Sequence, residues 1–151
     1  MAKLGVGIIG AGNISGAYLK LAPTFKSLEL RAVADLNKSA ADARAAEFGV
    51  RSETVEDLLK AGDVDVIVNL TIPAAHYDVS TAILNEGKHA YTEKPIVLTL
   101  DEGKRLRDLA DSKGLRVGSA PDTFMGGAHQ LARAAIDEGA VGRIIGGTCH
   151  V

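Results

Sequence analysis

The stretch Leu4 to Gly16, LGVGIIGAGNISG, constrains the fold of this chain more than any other. It is a short apolar run that breaks at Gly10-Ala11-Gly12 and resumes as a helix from about Asn13. Such a run is the sequence form of a parallel strand buried on both faces, and a strand that turns on glycines into a helix presents backbone N–H groups to whatever lies above the turn. Gly10 suits the tight turn, and Gly12 lets the backbone come close to a pyrophosphate. Asn13 and Ile14, where the helix restarts, join them as candidate contacts. The third glycine of the G-x-G-x-x-G dinucleotide pattern is Ser15 here, with Gly16 one residue later, and both are small enough for the helix to pack near the strand. The loop therefore has two readings, a phosphate cradle and a plain strand-to-helix turn.

An acid at the end of the next strand bears on that choice. Leu28 to Ala34, LELRAVA, alternates and then turns apolar, and it ends at Asp35, 23 residues after Gly12. A carboxylate there accepts hydrogen bonds from the adenosine ribose hydroxyls, and the competing reading is a cap for the following helix. An acid repels a 2′-phosphate and no Arg follows directly, so NAD is expected over NADP, with Lys38 as the contrary signal.

The rest of the chain alternates helix and strand. The first helix runs to Leu21 and stops near Pro23, and a second spans Lys38 to Phe48, with Ala41, Ala45 and Phe48 on one face and Gly49 as its stop. A short strand near Val50 leads to a helix over Val55 to Ala61, capped by Thr54 and ended by Gly62. Val64 to Leu70 is a third buried strand, followed by the turn Thr71 to His76 and a helix with Val79, Ala82 and Ile83 inward. His89 to Thr92 is the next strand and delivers Glu93-Lys94-Pro95. Thr99 and Glu102 form a capping box for a helix to about Lys113, with Leu106, Leu109 and Ala110 inward, and Leu115 to Ser119 is the last strand of the sheet. Asp122 and Thr123 read as caps for a helix over Ala128 to Glu138 rather than as ligand contacts, and Arg143 to Val151 reads as a strand.

This alternation predicts an α/β fold, a Rossmann-type doubly wound parallel sheet with right-handed crossovers. In such sheets ligands sit at the carboxyl ends of the strands, which places Leu70, Thr71, Ile72, Pro73, His76, Glu93 and Lys94 on the same edge as the glycine loop. The final strand has no partner of its own, so the chain is expected to be the front of a longer protein. A dinucleotide-binding domain would cover 1–122, and 123–151 would hold a linking helix and the first strand of a second domain.

At 151 residues, 46% hydrophobic and 24% charged, the chain has the composition of one globular domain. A net charge of −2 with no basic block points away from nucleic acid and anionic membranes, and no apolar run is long enough to span a bilayer. Cys149 is the only cysteine, which excludes an internal disulfide, and neither it nor His150 has ligand partners at metal spacing. With no signal peptide in the N-terminal residues, the cytoplasm is the expected compartment.

Taken together, GIIGAGNISG, AVADLN, LTIPAAH, GKHAYTEKP and IDEGAVGRI resemble, in their order and spacing, the cofactor domain of the glucose-fructose oxidoreductase, inositol dehydrogenase and MocA family (Gfo/Idh/MocA) over essentially the whole chain. Two segments depart from the family pattern: Thr71-Ile72-Pro73 stands for Thr-Pro-Asn, and APDTF for an Arg after the last strand, which leaves the substrate subgroup open. The resemblance implies a two-domain, homo-oligomeric enzyme that moves a hydride between a nicotinamide and a sugar, polyol or related compound. It makes Lys94 the catalytic lysine, Glu93 its orienting neighbour, the bond to Pro95 often cis, and His76 a residue near the nicotinamide. A lone histidine at a helix start otherwise reads as a cap or a surface residue. Past its first strand the family's second domain, an open α+β sheet which supplies an Asp and a His to the active site, has no counterpart in these 151 residues, so the isolated chain is expected to bind dinucleotide with little turnover. Competing readings are a non-catalytic dinucleotide sensor or partner-binding module, a methyltransferase and a structural domain with a vestigial loop.

Overall fold

The structure, a computed structural model, describes residues 3–148. Six strands, β1 (Leu4–Ile9), β2 (Leu28–Ala34), β3 (Arg51–Glu53), β4 (Val66–Asn69), β5 (His89–Thr92) and β6 (Val117–Ser119), form one sheet in the order β3-β2-β1-β4-β5-β6, with every pair parallel. The order reverses between β1 and β4, the position at which open α/β sheets leave a crevice for a ligand.

Helices α1 (Ser15–Leu21), α2 (Lys38–Phe48), α3 (Val55–Lys60), α4 (His76–Asn85) and α5 (Leu100–Ser112) make the crossovers. Side chains alternate across the strands, so Val6, Ile8, Val33 and Val68 pack with Leu19 of α1 and Ala45 of α2. On the other face Ile9, Ala32, Ala34 and Ile67 pack with Leu58 of α3, Ile83 and Leu84 of α4 and Leu106 of α5.

Local chemistry sets most element ends. Gly49 closes α2 at φ 68°, Thr54 Oγ1 accepts from Asp57 N at the start of α3, and Thr99 and Glu102 form the expected capping box on α5. The expected α1 start at Asn13 moves to Ser15, because residues 13 and 14 are a turn; past Leu21 the chain tightens into a 3-10 turn, Ala22–Thr24, that contains Pro23. The buried residues of α4 are His76, Ser80, Ile83 and Leu84, with Ala82 half-buried and Val79 half-buried against the apolar cluster that holds Ile83.

The chain divides between Ala120 and Pro121 into two compact units. The second holds a 3-10 turn, Asp122–Met125, and α6 (Gly127–Asp137). Gly126, not Asp122 or Thr123, is the N-cap of α6, which corrects the expected cap. No residue of α6 is buried. Residues 143–148 form no strand, since a strand is stabilised by pairing and not by local preference alone; the rest of the expected strand, with Cys149 and His150, lies outside the described residues.

Lys88 is a buried cation, 8% exposed, whose Nζ donates to Ala61 O at 2.6 Å and Val64 O at 2.8 Å, tying the end of α3 to the approach to β4. Lys88→Met leaves both carbonyls without that donor. We expect it to lower stability by about 1.5–3 kcal/mol, read as a lower urea midpoint with an unchanged slope.

Candidate functional site

The turn after β1 is held from below and open above. Gly10 has φ 109°, a conformation that favours glycine, and a Cβ there would lie 2.6 Å from Leu70 O. Gly12 is the opposite case, since a Cβ built on it meets nothing within 4 Å. Gly10 N donates to Ala34 O at 2.8 Å and Ala11 N to Asp35 Oδ2 at 2.7 Å, whereas the N–H groups of Gly12, Asn13 and Ile14 make no hydrogen bond among the described residues. Three consecutive unpaired N–H groups at an exposed turn are suited to an anion. Ser15, 0% exposed, is tucked beneath them with its hydroxyl donating to Gly12 O at 2.6 Å.

Asp35 sits at the carboxyl end of β2, half-buried, and its other oxygen accepts from Asn37 N at 2.8 Å. Its side chain makes no cap bond to α2, and Asn37 occupies the N-cap position instead. Each carboxylate oxygen retains acceptor capacity for a further donor. Lys38, the first residue of α2, is engaged by Asp42 and donates to Ser52 Oγ on β3 at 2.7 Å. The Lys38 ammonium, with Ser52, holds the Asp42 carboxyl below the ordinary carboxylate range.

The ends of β4 and β5 share a buried polar network. Asn69, 0% exposed, donates from Nδ2 to His76 O and Ser80 Oγ, both at 3.1 Å, and its Oδ1 accepts from Thr71 N at 3.2 Å and Thr71 Oγ1 at 2.7 Å. Ser80 Oγ is 2.8 Å from Thr92 Oγ1, which is also fully buried. His76 is not a surface residue, and Ala75 rather than His76 is the N-cap of α4; His76 is 1% exposed and lies inside this network. Leu70 is buried, Thr71 half-buried, and Ile72 and Pro73 are exposed at the start of the 3-10 turn Pro73–Ala75.

Glu93-Lys94-Pro95 follows β5 on the same edge, with a cis Lys94-Pro95 bond. Glu93 Oε2 accepts from Lys94 N at 2.9 Å, and its Oε1 accepts from Tyr18 Oη of α1 at 2.9 Å. The Lys94 side chain is exposed and has no hydrogen-bond or ion-pair partner among the described residues. The sequence reading missed Tyr18, Asn69, Ser80 and Thr92. Asn69, a polar residue in the run VDVIVNL, was the one visible signal; the others resemble ordinary helix and strand residues.

Residues 4–120 match the family described as an oxidoreductase family with an NAD-binding Rossmann fold. The inositol 2-dehydrogenase of Rhizobium meliloti is 31% identical over 140 residues, covering 91% of this chain and 42% of that protein. The WlbA dehydrogenase of Bordetella pertussis, solved with NADH and UDP-GlcNAcA, superposes with a TM-score of 0.88 at 28% identity, over 95% of this chain and 44% of that one. A 3-ketoreductase of Actinomadura kijaniata, solved with NADP, has a TM-score of 0.88 at 26% identity, over 94% and 46%. The chain thus spans less than half the length of each of these proteins.

Asn69→Leu keeps the branched shape but removes the acceptor for Thr71 N and Oγ1 and the donor to His76 O and Ser80 Oγ in a fully buried position. The expected loss is about 1–3 kcal/mol by urea unfolding, with faster amide exchange at residue 71, whose N–H loses its acceptor.

Proposed function

Because the chain belongs to the Gfo/Idh/MocA oxidoreductase family, we propose that it is the dinucleotide-binding part of an enzyme that transfers a hydride between a nicotinamide cofactor and a sugar, polyol or related hydroxyl or carbonyl compound. The observation that carries the reading is the cradle at Gly12, Asn13 and Ile14, with unpaired N–H groups, room above Gly12 and the Asp35 carboxylate next to it. These groups fit a dinucleotide: N–H donors for a pyrophosphate, and a carboxylate with spare lone pairs for ribose hydroxyls.

In this proposal Gly10 shapes the turn, Gly12, Asn13 and Ile14 bind the pyrophosphate, and Asp35 takes the adenosine ribose. Leu70, Thr71, Ile72 and Pro73, with Glu93 and Lys94, border the nicotinamide half across the crevice between β1 and β4. A bound nicotinamide supplies the hydride acceptor or donor. Lys94 takes or relays the proton of the substrate hydroxyl, a role suited to its exposed, unpartnered amine at the sheet edge. Glu93, fixed by Tyr18, holds the Lys94 backbone. A polyol or sugar substrate is supported by the inositol 2-dehydrogenase relative and by the nucleotide sugar in the WlbA complex.

NAD is favoured over NADP on two grounds. Asp35 places negative charge where a 2′-phosphate would lie, and Lys38, the cation that would offset it, is engaged by Asp42 and Ser52.

Calorimetric titration of the chain tests the reading. NADH is expected to bind more tightly than NADPH, and Asp35→Ala to weaken NADH about tenfold, the equivalent of one charge-assisted hydrogen bond. Gly12→Ala meets no protein atom, so its urea midpoint should hold while NADH binding falls. Binding of neither nucleotide, or binding that ignores both substitutions, overturns the proposal. With a polyol added, nicotinamide reduction by the isolated chain should stay at background.

A further inference from the structure

His76 has a backbone carbonyl at each ring nitrogen. Pro95 O lies 2.6 Å from Nδ1 and Thr71 O lies 3.0 Å from Nε2. A carbonyl oxygen only accepts, so the ring is a donor to these two groups, through one nitrogen in each neutral tautomer and through both when doubly protonated. Both nitrogens face protein and the ring is 1% exposed, so His76 offers no edge to a ligand.

The two carbonyls belong to different loops. Thr71 follows β4, and Asn69 Oδ1 already holds its N–H and hydroxyl. Pro95 follows β5 and has no N–H, so its carbonyl is the one backbone group through which it can be hydrogen-bonded. Glu93, Lys94 and Pro95 are consequently fixed from two sides, by Tyr18 through the Glu93 carboxylate and by His76 through the Pro95 carbonyl. The glycine loop and Asp35 make no hydrogen bond with His76.

We propose that His76 is a positioning residue: it sets the separation of the β4 and β5 loops that border the nicotinamide half, without touching the cofactor. This rests on the dinucleotide reading above, and it divides the site. The adenosine half depends on β1 and β2, and the nicotinamide half depends on the His76 bridge.

ADP-ribose lacks only the nicotinamide ring, so comparison with NADH isolates what the ring adds at the β4 and β5 loops. Both ligands are measured by calorimetry on the unchanged chain and on His76→Leu, His76→Asn and His76→Gln, with an unfolding midpoint for each. The Asn amide reaches the place of Nδ1 and can keep the Pro95 contact, and the Gln amide reaches that of Nε2 and can keep the Thr71 contact. ADP-ribose affinity should stay within about twofold throughout, while NADH weakens about tenfold in the Leu variant, which has no donor, and by a smaller factor in the Asn and Gln variants, each of which keeps a donor to one carbonyl. If the Leu variant does not fold, the Asn and Gln variants carry the same comparison. Equal weakening of both ligands would mean that His76 only maintains packing, and overturns the proposal. So does NADH affinity that ignores the substitutions, or NADH that binds the unchanged chain no more tightly than ADP-ribose. Absence of ADP-ribose binding would remove the dinucleotide reading itself, and the proposal with it.

Discussion

Strand β1 has no free side. It is hydrogen-bonded to β2 and β4, and its two faces lie under separate apolar clusters. From Val6 to Ile9 it is paired on both sides, and the ladders end where Gly10 N donates to Ala34 O and Leu70 N donates to Ile9 O, each at 2.8 Å. Beyond that point the chain must turn, and the first N–H groups without a neighbour are those of Gly12 to Ile14. The ligand edge follows from this: a central parallel strand exhausts its partners and leaves its donors at one end of the sheet.

The parts of this architecture that depend on neighbours in sequence were legible in advance. The bounds of β2, β5 and α2 agree with their apolar patterns and with the stop at Gly49, and the capping box at Thr99 and Glu102 forms as its spacing requires. The alternation of strands and helices gave the doubly wound sheet, because crossover handedness leaves few other arrangements. Asp35 was correctly placed at the strand end, but its bond to Ala11 N joins residues 24 apart and has no local signature.

The polar interior was not legible, for the same reason. Tyr18 and Glu93 are 75 residues apart, and His76 and Pro95 are 19 apart; neither pair can be read from a periodicity of two or 3.6. His76 was visible as a residue but not as a buried one, since a histidine opening a helix has the same sequence form whether it faces solvent or a carbonyl. Burial of so many polar groups at the carboxyl ends of β4 and β5, in a sheet otherwise filled by aliphatic side chains, is tolerated only because each finds a partner there. The exposed apolar residues of α6, Leu131 and Ile136 among them, show the opposite situation, a helix whose amphipathic pattern finds no core within its own unit.

The Asp35 carboxylate joins two matters that are usually treated apart. It secures the glycine turn through Ala11 N, and in the proposed reading it is also the group that discriminates between the two ribose forms. Replacing it to admit a 2′-phosphate would also release the turn, so a redesign of coenzyme preference in this chain has to supply a second acceptor for the Ala11 N–H along with the new cation. Variation at position 35 would then be felt as loop order as much as coenzyme choice.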